Sequence, residues 1–489
     1  MLRLLRIAAL ACCFQWLLPA RAATVTVVDV IPASASFETW QDSEPSIAIN
    51  PKHPEQMAIS ALTQNYASPT SALAPIFVSS DSGQTWMANA VLPGGSWTAD
   101  VTLAFATASN DLYAAVIRRD DYAMELLRTP DATSPRPMIR VLERGCPLEK
   151  RPSNCPDQPY VYAMALQGQL ATDQVLVASN NLVSAPKSAY LDWSTEAGSL
   201  ALESRIPDWQ DGPPVRIAIS SQGRVYAAFF HWKEVTQYAD PTLIGIVGDV
   251  IVEGGSAPLT ADDVLGAISG DDGRPGIAAA PARAFQASSA PSMGGQRVGN
   301  FLSLVLDPRA NMSMRLYIAW TDGNAESPML HVQRSDTAGA MWSPDLIEIP
   351  NAINPALAVN EAGTVGLLYQ QYDAANLEWT TSVLTSRDGT FAHATRYRLS
   401  VAPTPPATDL AFQPLLGDYD NLQTIGNDFV GAFSANNLPL KRDFPDANVL
   451  HYQRYADWSK GELYSAPPNA RVRPTVSTSI DPFFFRIHY

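Results

Sequence analysis

The segment Gly417-Asp418-Tyr419-Asp420 places a carboxylate on either side of a tyrosine. In a β-strand, residues two apart point to the same face, so both carboxylates would face one side. Two carboxylates across a pocket can supply the acid and the base that cleave a glycosidic bond. The same oxygen atoms would suit calcium, and a polar turn is a third interpretation. No calcium-binding motif supports the interpretation as a calcium site, so the sequence predicts no cofactor and no metal.

Other polar residues come just before or at the start of short apolar segments, and the full set is Glu44, Asp100, Asp157, Arg216, Arg297, Asn300, Asn354, Asp418 and Asp420. If these segments line one channel, the candidate catalytic residues are Glu44, Asp100, Asp418 and Asp420. The candidate substrate-binding residues are Arg216, Arg297, Asp157 and Tyr419, because arginine holds a sugar carboxylate through paired hydrogen bonds. Aromatic residues that could stack on sugars, or pack between sheets, are Trp40, Trp97, Tyr160 and Tyr419. The alternative for the polar set is that it caps loops and binds channel water.

The elements that would position these residues form an internal repeat. A polar residue or Pro opens an apolar strand, a turn with Asn, Asp or Gly follows, and a second strand is rich in Val, Tyr and Ala. Seven copies start about every 55 to 60 residues, near Glu44, Asp100, Asp157, Pro214, Asn300, Asn354 and Gly417. A unit of this length made of short strands is typical of a propeller blade, and blades bury their faces only by closing into a ring. The sequence therefore predicts an all-β protein, a seven-bladed β-propeller, as one domain over residues 23–489.

One interval of the repeat is longer than the rest, at about residues 238–297. It is rich in Gly, Ala, Pro and Asp, which predicts a loop insertion rather than a blade. Ring closure needs a strand from one terminus, and the candidates are Thr24–Val30 and Pro482–Tyr489.

Residues 1–22 have the pattern of a secretory signal peptide. Arg3 and Arg6 precede an apolar stretch of about 12 residues, and Ala20-Arg21-Ala22 supplies a small-x-small cleavage site. We expect a secreted or periplasmic protein with no membrane span. In an oxidising compartment, Cys146 and Cys155, with eight residues between them, should form a disulfide.

The charge balance limits the partners. The formal net charge is −15, and it becomes three units more negative if Arg3, Arg6 and Arg21 leave with the signal. This argues against nucleic acid as a partner. The six His residues are scattered, with no two at ligand spacing, so the sequence predicts no His-built zinc site.

Residues Ser79–Trp86 match the Asp-box, Ser-x-Asp-x-Gly-x-Thr-Trp. The residues that define it are Ser79, Asp81, Gly83 and Trp86. The Asp should cap a tight turn through backbone amides, Gly permits positive φ, and Trp packs between sheets. Looser copies occur at Ser335–Trp342 and Ser386–Phe391, each expected after the third strand of its blade.

These motifs resemble the sialidase-type Asp-box (BNR-repeat) propellers, and more closely a group of secreted bacterial sialidase-like proteins. The resemblance runs from Glu44 to Phe485. It implies a glycan or polysaccharide partner, bound or acted on at the channel mouth, with glycoside hydrolysis as one activity. A non-catalytic carbohydrate- or protein-binding propeller and a polysaccharide lyase are the alternatives.

Sialidase domains have six blades, so a six-bladed ring is the alternative to the predicted fold. They also carry a Phe/Tyr-Arg-Ile-Pro motif near the start of the domain. Here Ser204-Arg205-Ile206-Pro207 lies in the third repeat instead, and no nucleophilic Tyr–Glu pair can be assigned by motif.

Overall fold

A computed structural model describes residues 23–32, 42–62, 76–89, 98–118, 120–134, 136–151, 155–165, 173–181, 188–194, 202–205, 211–220, 222–239, 243–256, 276–290, 293, 295–299, 301–309, 314–404, 416–450, 455–464, 466–476 and 479–489. Within these residues the regular structure is β, apart from short 3-10 turns at Leu148–Lys150 and Lys441–Asp443. No helix among them is long and apolar enough to cross a membrane. The predicted signal segment, Trp40, Trp97 and Asn300 lie outside the described residues.

After strand β1 (Thr24–Asp29), the chain forms three four-stranded antiparallel sheets in succession. Blade 1 contains β2 (Ser43–Ile49), β3 (Met57–Leu62), β4 (Ile76–Ser79) and β5 (Met87–Asn89). Blade 2 contains β6 (Thr98–Phe105), β7 (Leu112–Arg118), β8 (Met124–Thr129) and β9 (Ile139–Arg144). Blade 3 contains β10 (Pro156–Ala165), β11 (Asp173–Asn181), β12 (Ser188–Ser194) and β13 (Leu202–Arg205).

The next three sheets follow the same order. Blade 4 contains β14 (Asp211–Ile219), β15 (Arg224–Gln237), β16 (Ile244–Ser256) and β17 (Ile277–Ala290), with β18 (Gln296–Val298) paired to β17. Blade 5 contains β19 (Leu302–Leu306), β20 (Leu316–Asn324), β21 (Ser327–Ser335) and β22 (Ile347–Pro350). Blade 6 contains β23 (Ala352–Val359), β24 (Val365–Asp373), β25 (Glu378–Ser386) and β26 (Thr395–Pro403). A single parallel bridge, Phe285 to Gly323, joins blades 4 and 5.

Blade 7 is built from both ends of the chain. It begins with β27 (Asn421–Ile425) and β28 (Asp428–Asn436), and it also contains β29 (Asn448–Leu450). The strands β30 (Tyr455–Asp457), β31 (Glu462–Tyr464) and β32 (Thr475–Val476) make a small separate sheet. The last strand, β33 (Ile480–His488), pairs with β28 on one side and with β1 on the other, so both termini close the ring.

The first strands of the sheets surround a common axis. Each of β2, β6, β10, β14, β19, β23 and β27 contacts the next, and β27 contacts β2. Apolar side chains pack between neighbouring sheets, as where Ala58 and Ile76 of blade 1 meet Leu103 and Leu112 of blade 2. Burial on both faces explains why strands such as β3, with the sequence MAISAL, are almost entirely apolar. The prediction of an all-β propeller is confirmed.

The interval at residues 238–297 is not the loop that its composition predicts. Its described residues include β16 and β17, which pair with β15 and with each other as the outer strands of blade 4. The three strands β15 to β17 are 14, 13 and 14 residues long, and this length accounts for much of the longer repeat. Residues 257–275, including part of the Gly-rich stretch, lie outside the described residues.

Cys146 and Cys155 are bonded, with a Cα–Cα distance of 5.1 Å, in the connection from blade 2 to blade 3. The disulfide prediction is therefore confirmed. At Ser79–Trp86, Asp81 accepts from the Thr85 backbone N–H at 2.8 Å, and Gly83 has a φ of 84°. Trp86 is buried and lies 5.4 Å from the ring of Phe484. This turn and its two looser copies follow the third strands β4, β21 and β25.

Candidate functional site

The first strands share an irregularity at the end of the channel where they begin. In blades 1, 2, 3, 4 and 6, the pairing of the first strand with the second shifts register near its start. A β-bulge of this kind interrupts the ladder and re-aims the side chains within it. The bulged segments include Glu44, Asp100, Gln158 and Asn354, so these polar residues leave the alternation of their strands.

Three of these bulges have one local sequence, a polar residue followed by proline. Glu44, Gln158 and Asn354 have φ values of 57°, 46° and 52°, a conformation that non-glycine residues seldom adopt. The following proline cannot donate to the ladder, which favours a bulge at this point. Strained residues held in one ring around a channel indicate a functional site.

The side chains of this ring converge on the segment Leu416–Asp420. Glu44 Oε1 accepts from the backbone N–H of Asp418 at 3.1 Å, and Gln158 donates its side-chain amide to Asp418 Oδ2 at 3.3 Å. Asn354 and Gln296 both donate to the carbonyl of Gly417 at 3.1 Å. Blades 1, 3 and 6 and strand β18 therefore hold this segment at the channel mouth.

The sequence predicts that the two carboxylates of this segment lie on one face of a strand. This prediction is wrong. Residues 417–420 are irregular, with a bend at Asp418, and β27 begins after them at Asn421. Gly417 has a φ of 87°, and a Cβ added there would lie 2.3 Å from Glu44 Cγ. Glycine is needed at this position because a side chain would be both strained at this φ and too close to Glu44.

Asp418 and Asp420 consequently have different surroundings. Asp418 is half-buried and faces Gln158, which also donates its backbone N–H to Asp100 Oδ2 at 3.2 Å. Asp420 is buried, and its Oδ1 accepts from the backbone N–H of Ser434 at 3.3 Å. Asp420 Oδ2 has no hydrogen-bond partner among the described residues. Burial raises the pKa of Asp420 well above its usual value, which favours the protonated carboxyl.

Below the mouth, the channel contains a cavity of about 360 Å³, and first-strand residues of all seven blades line it. One lining position recurs from blade to blade. Ser46 Oγ accepts from the Leu103 N–H at 3.1 Å, and two further hydroxyls link the next blade in the same way, Thr102 to Val161 and Ser303 to Leu357. In blades 3 and 4 this position holds large side chains instead, Tyr160 and Arg216.

Arg216 is 6% exposed, and its guanidinium carbon lies 4.5 Å from the centre of the Tyr160 ring and 5.7 Å from that of Tyr419. Its Nη1 donates to the carbonyl of Val215 at 3.0 Å. Among the described residues, no carboxylate lies within ion-pair distance of this guanidinium. Arg216 is therefore a buried cation on the cavity wall without an anionic partner from the described part of the chain.

Tyr419 lies among the other charged groups of the site. Its hydroxyl is buried and has no hydrogen-bond partner among the described residues. Burial, together with the nearby charges of Asp100 and Glu44, raises the pKa of Tyr419 well above its usual value, although Arg216 opposes the shift. Tyr419 is therefore a hydrogen-bond donor and not a phenolate at neutral pH.

The structure thus brings together Glu44, Asp100, Arg216, Asp418, Tyr419 and Asp420. Asp157 stays in the strand ladder opposite Asn180, and its neighbour Gln158 reaches the site instead. The side chain of Arg297 lies outside the described residues, whereas Gln296 beside it binds Gly417. Sequence reasoning missed both glutamines, and the recurring polar residue before proline is the signal that marks Gln158.

The cluster of His, Asp and Glu side chains best placed to hold a metal lies elsewhere within the described residues. It comprises His331, Asp345 and Glu348 in blade 5. At the channel mouth, the described carboxylates are engaged with backbone and amide groups, as where Glu44 binds the N–H of Asp418. Among the described residues, the polar side chains that line the cavity at the mouth, and so can contact a ligand, include Arg216, Asp418, Tyr419 and Asp420.

No protein-family model matches the chain, and no curated protein sequence matches it. Among solved structures, it is similar to an α-L-arabinanase of Penicillium chrysogenum complexed with arabinobiose, with 14% identity, a TM-score of 0.43, and coverage of 72% of this chain and 94% of that one. A polysaccharide lyase of family 25, an ulvan lyase, is similar over 82% of this chain and 92% of its own, with 10% identity and a TM-score of 0.47. The phage phi92 endosialidase is similar over 95% of this chain and 69% of its own, with 9% identity and a TM-score of 0.42.

Proposed function

We propose that this protein binds a glycan that carries an acidic group, a carboxylate or a sulfate, in the cavity at the channel mouth. The observation that carries the proposal is Arg216, a buried guanidinium on the cavity wall without a carboxylate partner in the described part of the chain. Burying a charge costs several kcal/mol unless an opposite charge and hydrogen bonds compensate. An acidic ligand would supply both.

The surroundings of Arg216 favour a planar, oxygen-rich anion. The ring of Tyr160 supports one side of the guanidinium, and Asn421 donates to the Tyr160 hydroxyl at 3.0 Å, which fixes that ring. A guanidinium held in one plane meets a carboxylate or sulfate through two parallel hydrogen bonds. The sugar ring would then lie in the cavity, where the unpartnered hydroxyl of Tyr419 can donate to it.

Hydrolysis of the bound glycan is the second candidate, and the raised pKa of the buried Asp420 favours it. General acid catalysis needs a carboxyl that keeps its proton near neutral pH and faces the substrate. Asp420 lines the cavity, is buried, and has a free oxygen among the described residues. Asp418, half-buried at the mouth, is the candidate base. The raised pKa of Tyr419 argues against both a tyrosinate base, which a lyase would use, and a tyrosine nucleophile.

The experiment is a screen of the purified protein against matched neutral and acidic oligosaccharides, in binding and in turnover. Uronic acid and sulfated oligomers should bind, and their neutral or methyl-esterified counterparts should bind at least about tenfold more weakly, because the charge-assisted bonds to Arg216 would be lost. Equal binding of neutral and acidic members, or binding of none, would refute the proposal. Release of reducing ends without an absorbance from an unsaturated product would identify hydrolysis.

A further inference from the structure

Strands β21 and β22 at the outside of blade 5 bring together three metal-ligating side chains. His331 and Glu348 are direct partners in the antiparallel ladder, so their side chains emerge on one face of the sheet. Asp345 lies two residues before β22 begins, on the turn that leads into it. This arrangement cannot be recognised from the spacing of the residues along the chain, because strand pairing brings them together.

The three side chains already point at one another. His331 Nδ1 lies 2.9 Å from Asp345 Oδ2 and 3.7 Å from Glu348 Oε1, and the three ligand atoms all lie within 4.8 Å of one another. Ligands about 2.1 Å from a tetrahedral zinc ion are about 3.4 Å apart. Small shifts of Asp345, to lengthen its distance from His331, and of the Glu348 side chain, which is 58% exposed, would complete that geometry.

Other groups hold the imidazole of His331 from the side opposite Nδ1, away from Asp345 and Glu348. His331 Nε2 lies 3.1 Å from Asp322 Oδ1, and Asp322 Oδ2 accepts from the indole N–H of Trp320 at 2.9 Å. The imidazole also stacks on Trp320, with centroids 5.0 Å apart and planes 11° from parallel. Arg283 of blade 4 binds Asp322 as well. A carboxylate on the far nitrogen and a ring held in place are the usual supports of a metal-binding histidine.

We propose that His331, Asp345 and Glu348 bind a zinc ion, which ties β22 to β21. One imidazole nitrogen with carboxylate oxygens suits Zn²⁺, whereas Ca²⁺ and Mg²⁺ take oxygen ligands throughout. Gln333 donates to Asp345 Oδ1 at 2.9 Å and leaves Oδ2 for the ion. The site lies apart from the channel mouth and does not depend on the proposed glycan. It differs from the sequence prediction, which considered only zinc sites built from closely spaced His residues.

The test is titration of the chelator-treated, full-chain protein with ZnCl2, followed by calorimetry. The wild-type protein should bind one Zn²⁺ per chain. Glu348→Gln and Asp345→Asn should each weaken binding at least about tenfold, whereas Glu149→Gln, an exposed acid on another surface, should leave the affinity unchanged. Because Glu348 is exposed, its variant should fold normally, and circular dichroism checks this.

A second measurement reports on the site itself. Co²⁺ in place of Zn²⁺ should give visible absorption bands in the wild-type protein that Glu348→Gln alters. The proposal is overturned if no ion binds, or if both ligand variants bind as tightly as the wild type. It is also overturned if His53→Asn abolishes binding, because the exposed pair His53 and Glu55, 3.3 Å apart, would then hold the ion.

Discussion

The guanidinium carbon of Arg216 lies 4.5 Å from the centre of the Tyr160 ring. We therefore expect Tyr160→Leu to weaken acidic-glycan binding about three- to tenfold, because a cation–π contact contributes about 0.5 to 2 kcal/mol and holds the guanidinium in plane. Tyr160→Phe keeps the ring and should bind within about twofold of the wild type. Calorimetry with both variants checks this, and equal affinities for the Leu and Phe variants would contradict it.

Asp420 provides the test of hydrolysis. Asn has nearly the shape of a protonated Asp, so Asp420→Asn should keep the fold and unfold at nearly the wild-type temperature. If Asp420 is the acid, turnover should fall about a hundredfold or more, since general acid catalysis contributes that much. Asp418→Asn should cause a comparable loss if Asp418 is the base. A folded Asp420→Asn protein with wild-type turnover would remove the acid role.

Substitutions at two glycines can distinguish the cost of backbone strain from the cost of a steric clash. Gly417 and Gly426 both have positive φ, of 87° and 58°, but an added Cβ would clash with Glu44 only at Gly417 and would meet nothing within 4 Å at Gly426. Gly426→Ala should cost about 1 kcal/mol of unfolding free energy, the expense of the left-handed conformation alone. Gly417→Ala should cost more, about 2 to 4 kcal/mol, because overpacking adds to it. Urea denaturation compares them, and equal losses would show that Glu44 moves aside freely.

The pH dependence of stability should show the burial of Asp443, which raises the pKa of its carboxyl from 3.8 to about 6. Below about pH 4 this carboxyl is protonated in the folded and unfolded states alike. Between about pH 4 and 6 the unfolded state releases its proton first, so stability falls as pH rises, and the loss is complete above the folded pKa.

Asp443→Asn should therefore be more stable than the wild type by about 1 to 3 kcal/mol at pH 7.5, and the difference should vanish near pH 4. Asp388→Asn is the control of opposite sign, because hydrogen bonds from the Thr390 backbone and hydroxyl lower the pKa of Asp388 to about 2. Urea unfolding at the two pH values measures both variants. An Asp443→Asn protein that is less stable at pH 7.5 would show that the ionised carboxylate is instead satisfied.

The fold could be predicted because each repeat carries the same strand-turn-strand pattern and blades must close on one another. The outer strands of blade 4 could not be predicted, because β17 is rich in alanine and includes a proline. Pairing with β16, and not the β-propensity of its residues, makes this segment a strand. Long-range partners of this kind leave little trace in local sequence.

The sequence could predict that polar residues at the starts of the first strands form the site. It could not predict how their side chains are oriented. The starts of the first strands pointed to Glu44, Asp100 and Arg216, which the structure brings together. The sequence analysis named Asp157 and not Gln158, but the bulge turns Gln158 toward the mouth. The burial that raises the pKa of Asp420 also depends on the folded channel and has no local signal in the sequence.

The central claim is that Arg216 holds the acidic group of the ligand, and calorimetry of Arg216→Gln tests it most directly. With an acidic oligosaccharide that the wild type binds, Arg216→Gln should lose about 10- to 100-fold in affinity. It should also unfold at the same or a higher temperature, because an unpaired buried charge is removed. Arg224→Gln, an exposed position in the same sheet, should bind within about twofold of the wild type. A folded Arg216→Gln protein that binds the acidic oligosaccharide as tightly as the wild type would contradict the account.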